Sequence, residues 1–138
     1  MKENPIVIVE DNMDDCQFLT QALTVVGVQN PLRCFDNAVA ALEYLRSTEE
    51  IPFLIISDIS MPLMDGLELK RTIEADEKLS AKKIPFILLS TLPPSFHIKE
   101  IEKLSVQGHF KKPVKFDDLI HIVRSIIDSW TRVESMAS

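Results

Sequence analysis

Short runs of consecutive apolar residues alternate along this chain with longer stretches in which apolar residues recur every three or four positions. Ile6–Val9, Leu32–Phe35, Phe53–Ser57, Phe86–Leu89 and Gly108–Lys111 are the short runs, the last being the least apolar. Runs this short, bounded by polar or turn-forming residues, read as strands buried on both faces. Between them, Phe18, Leu19, Ala22, Leu23 and Val26 share one helical face, and Gly27 is a natural stop. Asp36 offers an N-cap to a helix that buries Ala41, Leu42 and Leu45. Leu69 and Ile73 mark the inner face of the next helix.

The polar stretch from Ala75 to Lys83 reads as a connecting loop with frayed helix at its start. A short helix is expected from Ser95 to about Leu104. Phe116, Leu119, Ile120, Val123, Ile126, Ile127 and Trp130 form the stripe of the last helix. The pattern places one domain over residues 1–130 and a flexible C-terminal tail over residues 131–138. Strands alternating with helices predict an α/β fold, a five-stranded parallel sheet with helices on both faces. In such sheets ligands sit beyond the carboxyl ends of the strands.

Composition narrows the function classes. At 138 residues, of which 46% are hydrophobic, the chain suits a single domain with a full core. A net charge of -6 does not support nonspecific nucleic-acid binding, which needs a basic surface. Ile6–Val9 is interrupted at once by Glu10 and Asp11, so no signal peptide is read there. No segment is long and apolar enough to span a membrane, and the cytoplasm is the expected compartment. Cys16 and Cys34 fit no zinc or redox spacing and are expected to be free thiols.

The strand ends carry the candidate chemistry. Glu10 and Asp11 follow the first strand, Asp58 the third, Ser90 and Thr91 the fourth, and Lys112 the fifth. Any one of these has an ordinary explanation as a solvated loop residue, a cap or a surface lysine. Together they place three acids, a hydroxyl and an ammonium on one rim. Clustered carboxylates repel one another unless a cation holds them ionised, and a hard divalent ion with oxygen ligands suits them. Mg2+ fits best, because it keeps waters and also takes phosphate oxygens. One carboxylate can then attack a phosphoryl group and become an aspartyl phosphate. Lys112 would stabilise the transferring charge, and the Ser90 hydroxyl would donate to a phosphoryl oxygen.

Four stretches resemble the receiver domain of two-component response regulators, in that family's order and approximate spacing. They are Val9-Glu10-Asp11-Asn12, Ser57-Asp58-Ile59-Ser60-Met61-Pro62-Leu63-Met64-Asp65-Gly66, Pro85-Phe86-Ile87-Leu88-Leu89-Ser90-Thr91, and Gly108-His109-Phe110-Lys111-Lys112-Pro113. The resemblance runs from Asn4 to about Trp130. It implies a flavodoxin-like fold with strand order 2-1-3-4-5. It implies Asp58 as phosphoacceptor, with Glu10, Asp11, Asp58 and the backbone carbonyl of Ser60 around Mg2+, and Ser90 and Lys112 acting on the phosphoryl group. The Lys112–Pro113 bond is usually cis in this family, which helps to aim the lysine.

The implied phosphodonor is a sensor histidine kinase or a histidine phosphotransfer protein. The output is a conformational switch on the face of the helix after strand four, strand five and the last helix. The chain would promote its own phosphorylation and dephosphorylation without being an enzyme on another substrate. With no output domain read after the last helix, the readout would be a downstream protein, onward transfer or a homodimer built on the last helix.

Four positions depart from the family's commonest pattern. Glu10 stands where Asp is more usual, His109 occupies the position of the aromatic switch residue, and Pro93 and Pro94 restrict the loop after Ser90. His109 is read as an ordinary surface histidine. The alternative reading is a binding module of receiver fold that works without phosphorylation. A phosphatase of the haloacid-dehalogenase type is disfavoured, since its second acid would stand at Ser60. A dinucleotide enzyme is disfavoured too, because Gly27, Gly66 and Gly108 cannot make a phosphate-binding loop.

Overall fold

The computed structural model describes residues 4–137. The strands are β1 (Ile6–Val9), β2 (Leu32–Phe35), β3 (Leu54–Asp58), β4 (Phe86–Ser90) and β5 (Gly108–Lys111). All neighbouring pairs are parallel, in the order β2-β1-β3-β4-β5. The helices are α1 (Met13–Val25), α2 (Ala38–Ser47), α3 (Gly66–Ala75), α4 (Glu77–Ala81), α5 (Ile98–Ile101) and α6 (Phe116–Ala137). A 3-10 turn, Pro94–His97, leads into α5. The flavodoxin-like order and the α/β class are as the sequence implies.

Successive strand residues point to opposite faces, and the core divides accordingly. Val7, Val9, Ile55, Phe86 and Leu88 pack with Ala41, Leu45, Leu69 and Ile73 from α2 and α3. Ile6, Ile8, Ile56, Ile87 and Leu89 pack with Leu19 and Leu23 of α1 and with Leu119 and Val123 of α6. Burying each of the larger of these apolar side chains contributes about 1.5–3 kcal/mol, so the two slabs clamp the sheet and hold its strand ends in register.

Several local expectations change. Asn37, not Asp36, caps α2, its side-chain oxygen accepting the Ala40 N–H at 2.7 Å. The stretch expected as a loop contains α4, because Asp76 accepts the Leu79 N–H at 3.1 Å and Leu79 is buried. The last helix continues to Ala137, past the expected start of a tail at Thr131, since no proline or glycine stops it there. Ser138 lies outside the described residues. Cys16 on α1 and Cys34 on β2 are joined in a disulfide rather than free, because the first crossover lays α1 beside the edge strand. The peptide bonds of the described residues are all trans, including Lys112–Pro113, against what the resemblance implies. His109 is half-buried, with Nδ1 enclosed and unbonded, rather than an ordinary surface group.

Gly66 connects the fold to the strand-end rim. A Cβ at this position would meet the Asp58 carbonyl oxygen at 2.2 Å, inside any real contact. The Gly66 N–H instead donates to the Ile59 carbonyl at 2.9 Å, and Asp65 caps α3 by accepting the Glu68 N–H at 2.8 Å. Gly66→Ala is expected to destabilise the protein by about 3 kcal/mol, at the upper end for inserting one carbon into a packed site. A urea titration measures this, and an unchanged midpoint would contradict the close approach.

Candidate functional site

The carboxyl ends of β1, β3, β4 and β5 bring the predicted groups together. Asp58 ends β3, buried at 7% exposure, and Glu10 directly follows β1 at 6%. Asp11 is exposed beside them. One carboxylate oxygen from each of Glu10, Asp11 and Asp58 lies within 4.8 Å of the others. Lys112 reaches in from the residue after β5. Its Nζ donates to Glu10 Oε1 and to Asp15 Oδ2 at 3.0 Å, and it stands 3.3 Å from Asp58 Oδ2. The Lys112 backbone N–H donates to the Ser90 carbonyl at 2.6 Å, which ties the lysine to the end of β4. Three carboxylates, rather than a cis bond, aim this ammonium. Lys111 is exposed, so the site takes the second lysine of the pair.

Asp15 is a member that the sequence reading missed. It sits in the first turn of α1, where an acid also suits the helix dipole. Its N–H donates to Asn12 Oδ1 at 3.0 Å, and the Asn12 N–H donates to Glu10 Oε2 at 3.2 Å. The same turn thus positions two of the three acids that hold Lys112. The signal that could have found it is its place in the first turn of the helix that directly follows Glu10 and Asp11.

Ser90 is buried at the end of β4. Its Oγ accepts the Leu92 N–H at 3.1 Å, which leaves the hydroxyl proton free to donate elsewhere. Thr91 is exposed. Ser60 is also exposed, in the turn just past Asp58.

The electrostatics are those of acids short of positive charge. Burial pushes Glu10 up to about 7, with a further push from Asp58, although the bond to Lys112 opposes both. Burial likewise raises Asp58, against the pull of Lys112. Burial disfavours the charge on Lys112, but Glu10, Asp58 and Asp15 outweigh it and hold the ammonium above the usual lysine range. Two of the three clustered acids therefore resist ionisation with Lys112 alone. A hard cation offered oxygen ligands would relieve that, so the donor set fits Mg2+ or Mn2+.

A doubly wound parallel sheet with acids at the carboxyl ends of β1 and β3 and a lysine after β5 defines an α/β domain of receiver type. The chain belongs to the response regulator receiver domain family, whose family model matches residues 6–124. Response regulator receiver protein CpdR of Brucella abortus is 34% identical, over 88% of this chain and 95% of that protein. The phosphorylated cyanobacterial phytochrome response regulator RcpA superposes with a TM-score of 0.82 at 29% identity, covering 94% of each chain. The Mn(2+)-bound form of response regulator Rcp1 gives 0.78 at 26% identity, covering 92% of this chain and 94% of that one. The protein is thus a receiver domain of two-component signalling, a family that accepts phosphoryl groups. Among the described residues no helix is long and apolar enough to cross a membrane.

Proposed function

We propose that Asp58 accepts the phosphoryl group, from a sensor histidine kinase or a histidine phosphotransfer protein, and that residues 1–130 form the working domain. The observation that carries this reading is the contact set of Lys112, whose one ammonium meets Glu10, Asp15 and Asp58. An Asp58 carboxylate oxygen attacks phosphorus, the donor's phosphorus–nitrogen bond breaks, and the electron pair leaves on the donor imidazole. Lys112 stabilises charge on the phosphoryl oxygens as the Asp58 carboxylate becomes a mixed carboxylic–phosphoric anhydride.

Glu10, Asp11, Asp58 and the Ser60 carbonyl would hold Mg2+. Bound there, the ion supplies charge neutralisation and orients the incoming phosphoryl group. The Ser90 proton, not committed in its bond with Leu92, then donates to a phosphoryl oxygen. That contact exists only after transfer, so it favours whichever arrangement brings Ser90 closer and biases the face of α5, β5 and α6. A downstream protein or a second copy of the chain would read this face. A cytoplasmic setting suits such donors.

The test is incubation of wild type and Asp58→Asn with magnesium and acetyl phosphate, followed by intact mass. Wild type is expected to gain one phosphoryl group and the variant none. Equal uptake by both would sink the assignment. Receiver-fold binding without phosphorylation is not favoured beside a complete Asp11, Asp58, Ser90 and Lys112 set.

A further inference from the structure

Lys70 breaks the pattern of its own helix. It lies three residues from both Leu67 and Ile73, on the face that α3 turns to the sheet, and is only 6% exposed. Buried charges are normally held by a full set of partners. The nearest carboxylate oxygen, Glu74 Oε1, is 3.7 Å away, beyond hydrogen-bond length. That oxygen already accepts the Ser105 N–H at 2.7 Å. The Phe86 ring adds a cation–π contact, its centroid 5.6 Å from Nζ. Burial holds the Lys70 ammonium below the usual lysine range, with Glu74 opposing. The chemistry at Asp58 uses none of these groups.

Lys70 lines a cavity of about 390 Å³. Gln107 before β5 and Ile84 before β4 place it at the amino ends of those strands, while Ser90 and Lys112 stand at their carboxyl ends. This volume falls within the range of small-molecule sites. The wall is rich in donors. Gln107 Oε1 accepts the Phe86 N–H at 2.7 Å, which leaves the side-chain NH2 as a donor. Lys83, a second lysine, also lines the rim. It does so from a backbone φ of 50°, a left-handed conformation that costs a residue with a side chain about 1 kcal/mol. Ile73, Leu79 and Ile84 make the apolar part of the wall. Two ammonium groups set against the single carboxylate of Glu74 leave one positive charge in excess.

The geometry points to a binding site for a small aliphatic carboxylate. Its charged end takes the open donors of Lys70, Lys83 and Gln107, and its hydrocarbon end lies against Ile73 and Ile84. A monoanion balances the excess charge, and the apolar wall selects a short chain over an inorganic ion. The site stands apart from Asp58 and does not depend on phosphorylation.

Butyrate is the probe, titrated into the full chain labelled with nitrogen-15 and followed by amide chemical shifts. Saturable shifts are expected at Lys83, Ser105 and Gln107. Lys70→Met and Lys83→Met are each expected to weaken binding by about tenfold, the scale of one charge-assisted hydrogen bond. Lys70→Met is expected to fold, since exchanging a buried ion for an apolar side chain of similar length is often neutral or stabilising. Lys83 is exposed, so its variant carries the test in either case. Butylammonium is expected not to bind. The proposal is overturned if butyrate gives no saturable shift at these amides, if both variants bind it like wild type, or if butylammonium binds equally well. Inorganic phosphate binding as tightly as butyrate overturns the aliphatic class.

Discussion

A Lys112→Met variant is expected to take phosphoryl from acetyl phosphate about a hundredfold more slowly than wild type, the scale of losing one preorganised charged donor. Methionine keeps the length and packing of the side chain but removes the ammonium that meets Glu10, Asp15 and Asp58. The phosphoryl oxygens then lose their counter-charge from the protein. The backbone N–H to the Ser90 carbonyl is unaffected, so β4 and β5 stay joined. The variant also leaves Glu10 and Asp58 buried without a cation, a loss expected to cost about 3 kcal/mol at neutral pH. Initial rates of mass gain measure the first effect and urea midpoints the second. A variant that reacts at the wild-type rate would remove Lys112 from the chemistry.

The second large effect is a stability profile that a divalent cation reverses. In the folded chain Glu10 holds its proton up to about 7, whereas its ordinary value is 4.5. Between those values the folded state binds more protons than the unfolded state, so stability falls as pH rises through that window. Asp58, also raised by burial, acts in the same direction. Lys112, raised above its ordinary 10.5, stays charged throughout. Mg2+ held by the ionised carboxylates would remove this loss at saturating metal. The gain at pH 7 is expected to be about 3 kcal/mol when the free ion is a hundred times its dissociation constant. Urea midpoints measured across the window, with and without magnesium, report both slopes. Identical slopes would contradict an acidic site that accepts the ion.

Most of the fold was readable because of where its strands lie. β1, β3 and β4 are buried on both faces, so they appear as solid apolar runs with acids or hydroxyls at their ends. α4 was not readable, because its five residues bury only Leu79 and are too short to show a stripe. The last helix outran its expected end because the apolar stripe stops at Trp130 while no proline or glycine interrupts the backbone beyond it. The site was legible where strand order converts sequence position into proximity, as at Glu10, Asp11, Asp58, Ser90 and Lys112. Asp15 was not, since an acid in a first turn is explained by the helix alone. Nor was the disulfide, because the spacing of Cys16 and Cys34 does not reveal that α1 lies against β2. Lys70 is one of several charged residues in α3, and only its burial beside Phe86 sets it apart.

The proposed phosphoacceptor is Asp58 rather than a neighbouring acid. Borohydride reduction converts an aspartyl phosphate to homoserine and marks its position in the chain. Wild type treated with magnesium and acetyl phosphate, then reduced, digested and sequenced by mass spectrometry, is expected to carry homoserine at position 58 alone. Homoserine at position 11 or 15, or none anywhere, would contradict the account.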